Sequence, residues 1–129
     1  MNRRFWNWAP VLAQMAVIFA FSSLSTRPNL PGGFGDYTGH FIGYTLLGSL
    51  VIRGFARGSW NGVNFRSAWK AVVMSSLYGV TDEFHQSFVP GRSPSVADWG
   101  VDTLGACVGV VLVIAAARFA GRGSADRGI

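Results

Sequence analysis

Four long apolar stretches divide the chain, from about Phe5 to Ser23, Tyr37 to Ala56, Trp69 to Val89 and Val96 to Ala117. A bilayer core about 30 Å thick needs roughly 20 mostly apolar helical residues. The pattern therefore predicts an all-α integral membrane bundle of four transmembrane helices, forming a single domain over residues 1–129. Turn-forming residues mark the breaks. Thr26 to Gly35 holds Pro28, Pro31, Gly32, Gly33 and Gly35, and Gly58 to Asn64 holds two glycines and two asparagines. Pro90-Gly91-Arg92-Ser93-Pro94 is the third break. The polar segment after Phe119 is expected to fray. Asn2-Arg3-Arg4 ahead of an apolar run has the look of a signal peptide, but the run is long for one, so a retained helix is expected. Pro10 falls within it, where neighbouring helices can compensate for one lost hydrogen bond.

Composition agrees with a membrane class. Half of the 129 residues are hydrophobic and 13% are charged, against about 25% charged in a typical soluble domain. Disorder, a secreted disulfide scaffold and an ordinary soluble enzyme are disfavoured; Cys107, the one cysteine, allows no internal disulfide. The net charge of +5 does not point to nucleic acid, because the basic residues sit at the ends of apolar runs. Arg3, Arg4, Arg53, Arg57, Arg66, Lys70, Arg118, Arg122 and Arg127 fall on one side, and Arg27 and Arg92 on the other. The positive-inside rule then puts both termini and the middle loop in the cytoplasm. Trp6, Trp8, Trp60 and Trp69 read as anchors at the cytoplasmic interface, with Trp99 in that role outside.

The acidic residues give the chain its unusual feature. Asp36, Asp82, Glu83, Asp98 and Asp102, with His40 and His85, all fall at the outward ends of spans two to four. At 1.5 Å per residue, His40 is about 5 Å and Asp102 about 9 Å below the starts of their spans. Helical spacing aligns Asp36, His40 and Tyr44; Ser75, Gly79, Asp82 and Gln86; and Asp98, Asp102, Gly105 and Gly109. The Gly105-x-x-x-Gly109 pair permits close helix contact, so that face should point into the bundle and carry its carboxylates inward. A polar pocket opening outward is expected, since intramembrane charges face a partner or a cavity. Five carboxylates against Arg92 and two histidines leave a deficit. It can be met by protonated acids, charged histidines or a bound divalent cation, for which His40, His85, Asp82 and Asp98 are the candidate ligands. Arg92, on a tight loop, is expected to pair with Asp82 or Glu83 and with Asp98. The competing reading is structural: Asp36 as a cap, Ser95-x-x-Asp98 as a capping box, and the whole set as a hydrogen-bond network.

The run Y-G-V-T-D-E-F-H-Q-S-F-V-P-G-R-S-P-S-V-A-D, Tyr78 to Asp98, resembles the signature of the VanZ-like family. Phe21 to Ser25 (F-S-S-L-S) and Asp36 to Tyr44 (D-Y-T-G-H-F-I-G-Y) are similar to its upstream segments, so the likeness covers most of the chain. Tyr37 stands where the family often has lysine, and Asp102 where asparagine is common. Both make this pocket more acidic. The resemblance implies a multi-pass protein of the bacterial plasma membrane and an association with glycopeptide (teicoplanin) resistance, without a settled reaction. The expected function is binding of an envelope lipid or cell-wall precursor headgroup, with the bilayer as the other partner. The candidate pocket comprises Asp36, His40, Tyr44, Asp82, Glu83, His85, Gln86, Arg92, Ser95, Asp98 and Asp102. The alternative is a membrane-embedded, metal-dependent enzyme acting on such a component. A proton-coupled exporter fits less well, because the acids gather at one end and the first span has none.

Overall fold

The computed structural model describes residues 2–25 and 36–125. Among these it has four α-helices and no strand: α1 (Arg3–Ser22), α2 (Asp36–Phe55), α3 (Phe65–Gln86) and α4 (Val96–Ala125), with a 3-10 turn at Trp60–Gly62. The Thr26 to Gly35 break with Arg27, the side chain of Asp36, and Arg127 lie outside the described residues. Arg3–Ser22 and Val96–Gly123 are long and apolar enough to cross a membrane. The other two helices have 20 and 22 residues, but the polar groups at their ends dilute their apolar character.

Two boundaries differ most from the sequence expectation. Helix α3 starts four residues before Trp69, because Asn64 and Ser67 close a capping box: the Ser67 N–H donates to Asn64 Oδ1 at 3.0 Å and the Asn64 N–H to Ser67 Oγ at 2.9 Å. Those bonds satisfy donors that would otherwise be orphaned in the first turn. The segment after Phe119, expected to fray, is helical through Ala125. The alanines at 115–117 and 120 propagate the helix well, and Arg122 in the last turn complements its dipole.

Helix α2 is central and touches the other three, α4 most extensively. Glycines set that contact. A Cβ at Gly48 would lie 2.5 Å from the Ala106 carbonyl oxygen, and one at Gly105 2.7 Å from that of Phe41. Gly109 lies against Thr45 in the same way. The two backbones touch, as small-residue helix pairs allow. Helix α1 packs across α2, with Trp8 over Gly54 and edge-on to Phe55 at 5.0 Å. Trp8 is therefore a packing residue rather than an interface anchor, while Trp6, Trp60 and Trp69 are exposed. The Tyr78 hydroxyl donates to the Met15 carbonyl at 2.6 Å, tying α3 to α1. The buried apolar core is small: Val11, Ile18, Tyr44, Leu47, Val51, Ile52, Ala71 and Val110. The outside, by contrast, is apolar. Leu12, Ile42, Leu77 and Val111, one from each helix, are 62%, 59%, 61% and 61% exposed.

Candidate functional site

The three helical stripes bring their polar residues to one end of the bundle. His40 and Tyr44 are buried on one face of α2, as are Ser75, Gly79, Asp82 and Gln86 on α3, and Asp98, Asp102, Gly105 and Gly109 on α4. Asp102 and Gln86 are 0% exposed. Carboxylates at such depth need donors or counter-charge, and the neighbouring helices supply part of that. His40 Nδ1 donates to Asp102 Oδ1 at 2.6 Å. Asp82 accepts from two hydroxyls: Ser22 of α1 on Oδ1, and Tyr44 on Oδ2 at 3.3 Å. Ser22 in turn accepts from Gln86 Nε2 at 3.3 Å.

Glu83 and Asp98 sit beside this network and organise the start of α4. The Asp98 N–H donates to Ser95 Oγ at 3.3 Å, which is one half of the expected capping box. The other half comes from α3 instead: the Ser95 N–H donates to Glu83 Oε2 at 2.8 Å. Asp98 thus keeps its carboxylate near His40 and Glu83. Among the described residues two groups of possible metal-ligand atoms result, each with its atoms within 4.8 Å of one another: His40, Glu83, Asp98 and His40, Asp82, Asp102.

Two residues stand apart from their expected places. His85 is half-buried at the edge of the bundle, stacked on Phe19 with ring centroids 4.2 Å apart and bonded through Nε2 to Ser23 Oγ at 2.9 Å. Residues 82 and 85 are three apart on a helix, a net offset of about 60°, so His85 sits beside the Asp82 stripe, against Phe19 of α1. Among the described residues His85 joins neither ligand group. The Ser23 hydroxyl donates to the Phe19 carbonyl at 2.8 Å, so the imidazole is the donor in the Ser23 contact and does not activate that serine. Arg92 likewise departs from expectation. Its Nη1 donates to the Leu24 carbonyl at 3.3 Å. The loop brings it back over the end of α1 instead.

A cavity of about 350 Å³ runs between α1 and α2. Ser22, His40, Tyr44, Asp82 and Arg92 line its polar part, and Val17, Ile18, Phe21, Ile42 and Leu46 its apolar part. Val17, Phe21, Ile42 and Leu46 are 47–59% exposed, so the groove opens sideways between the helices. Reading the sequence for charged residues missed Ser22, which contacts both Asp82 and Gln86. It also missed Gln14, which bridges to the Gly43 carbonyl at 3.0 Å on the cavity wall. The apolar wall of a groove has no distinctive sequence signal.

The VanZ/LLP1 family model matches residues 5–117. The chain belongs to the VanZ/LLP1 family. No curated protein and no solved structure matches it. Family membership and the two long apolar helices together support membrane association. The match covers all four helices, so the buried cluster and the groove both belong to the VanZ/LLP1 region.

Proposed function

We propose that this VanZ/LLP1 protein binds an amphiphile of the bacterial envelope, a lipid or lipid-linked cell-wall precursor, in the groove between α1 and α2. All four helices cross the plasma membrane with both termini in the cytoplasm, and the polar cluster lies in the outer leaflet. The nine-to-two asymmetry of basic residues supports this orientation, and the apolar exterior of every helix supports four spans.

The observation that carries the binding reading is the two-part lining of the groove. Ligand sites pair apolar walls with a few placed polar groups. Here the walls face the hydrocarbon, and Ser22, His40, Tyr44, Asp82 and Arg92 gather where a headgroup would sit. Arg92 offers a planar cationic donor for an anionic group. The association with teicoplanin resistance that the family likeness implies is part of this proposal: a protein holding a wall precursor or lipid at the outer surface alters what the drug meets there.

Native mass spectrometry tests it. The detergent-purified protein is incubated with phosphatidylglycerol, undecaprenyl phosphate or diacylglycerol. A phosphorylated lipid is expected to remain bound at one per chain, and diacylglycerol is not. Gly43→Leu fills the groove, and the glycine's surroundings admit a Cβ, with Ile18 Cγ1 at 3.7 Å. This variant should lose the bound lipid while keeping the wild-type unfolding temperature. Retention by Gly43→Leu, or no retained lipid in the wild type, overturns the reading.

A further inference from the structure

We propose that His40, Asp82 and Asp102 hold one divalent transition-metal ion at the polar end of the groove. These residues come from α2, α3 and α4, and their ligand atoms lie within 4.8 Å of one another. Small side-chain rotations bring such a set onto an ion at the usual distance of about 2.0–2.2 Å.

An independent feature points to a ligand. Asp102 is 0% exposed. Its Oδ1 takes the His40 proton, but its Oδ2 has no hydrogen-bond partner. A buried carboxylate oxygen without a donor is costly, and a cation satisfies it. The fold makes room for this oxygen: Gly79 faces it, and a Cβ there would lie 3.2 Å from Oδ2. Asp82 is prepared in a different way. The Ser22 and Tyr44 hydroxyls both donate to it, which orients it, as outer partners do for metal ligands.

Charge gives the same answer. Asp82 and Asp102, once ionised, would set two negative charges beside one divalent ion. The other group, His40 with Glu83 and Asp98, shares the histidine, so one ion engages one group or the other. In that group Glu83 Oε2 and the Asp98 backbone are both engaged at Ser95, where α4 begins, while Glu83 Oε1 has no hydrogen-bond partner. Asp82 and Asp102 bond only to side chains of other helices and leave the start of α4 untouched. An imidazole nitrogen with two carboxylates suits Mn²⁺ or Zn²⁺ better than the all-oxygen shells of Ca²⁺ or Mg²⁺.

The test uses the purified, chelator-treated full chain in detergent without added lipid. Mn²⁺ is titrated in while free ion is followed by electron paramagnetic resonance, and thermal unfolding is recorded in parallel. Saturation at one Mn²⁺ per chain, displacement by Zn²⁺ and a higher unfolding temperature are expected. Asp102→Asn should weaken binding at least tenfold, and Ser76→Ala, which removes only a hydroxyl contact to Thr103, should bind like wild type. Should a variant fail to fold, the wild-type titration decides alone. Neither Mn²⁺ nor Zn²⁺ binding at millimolar concentration, or undiminished binding in folded Asp102→Asn, overturns the proposal. Lipid plays no part in this experiment, so its failure leaves the groove reading intact.

Discussion

Gly48→Ala adds one methyl group where the backbones of α2 and α4 touch, and its consequences can be followed to the cluster. The new Cβ would sit 2.5 Å from the Ala106 carbonyl oxygen and 2.8 Å from the Ala106 Cα. Both are backbone atoms, so no side-chain rotation relieves the contact. Reaching an ordinary contact requires the helices to separate by about 0.9 Å, and overpacking of this kind costs about 1–3 kcal/mol. Ala106 lies one helical turn beyond Asp102. If α4 moves as a unit, the His40–Asp102 bond, now 2.6 Å, opens to about 3.5 Å and is lost as a hydrogen bond. A bond to a charged group adds about 1.5–3 kcal/mol. A fall in unfolding temperature of roughly 10 °C is expected, with one kilocalorie worth about 2–8 °C for chains of this size range. The assay is thermal unfolding in detergent beside Gly100→Ala, where a Cβ meets nothing within 4 Å. That control should be neutral or stabilised by about 0.5–1 kcal/mol through helix propensity. Equal unfolding temperatures for Gly48→Ala and wild type would refute the contact between the two backbones and the coupling drawn from it.

Further outcomes follow from the same arrangement. In a Cys107→Ala background, Ser93→Cys should react with an impermeant thiol reagent from outside and Asn61→Cys only after permeabilisation; the reverse pattern contradicts the orientation. A cysteine at Asn61 leaves Gly62 in place, where a Cβ would press on the Ala56 backbone. Tyr44→Phe removes one hydroxyl donor from buried Asp82 and should destabilise by about 1.5–3 kcal/mol, measured by thermal unfolding. An unchanged unfolding temperature would mean that the bond contributes nothing. Asn64→Ala should cost about 0.5–2 kcal/mol through loss of the α3 cap, and Phe65→Ala, at a residue 84% exposed, should cost much less.

The stripes of His40 and Tyr44, of Asp82 and Gln86, and of Asp102 and Gly105 were legible because helical periodicity alone decides which residues share a face. The Gly105–Gly109 pair correctly marked which face of α4 meets another helix. His85 lies beside the inward stripe rather than on it: its offset of about 60° from Asp82 carries it to the bundle edge against Phe19. Ser22 was overlooked because a hydroxyl matters here only through a partner sixty residues away. The Arg92 contact with Leu24 depends on how the loop after α3 folds back, which no periodic pattern encodes. The helical end of α4 was hidden by two glycines, Gly121 and Gly123, whose cost the preceding alanines outweigh.

The central claim is that the groove between α1 and α2 holds an envelope amphiphile with its headgroup at the cluster. A high-resolution cryo-electron microscopy structure in nanodiscs of bacterial lipid tests it most directly. The account predicts headgroup density among Ser22, His40, Tyr44, Asp82 and Arg92, continuing as a chain past Val17, Ile42 and Leu46. A groove closed by contact between α1 and α2, or headgroup density only elsewhere on the bundle, would contradict it.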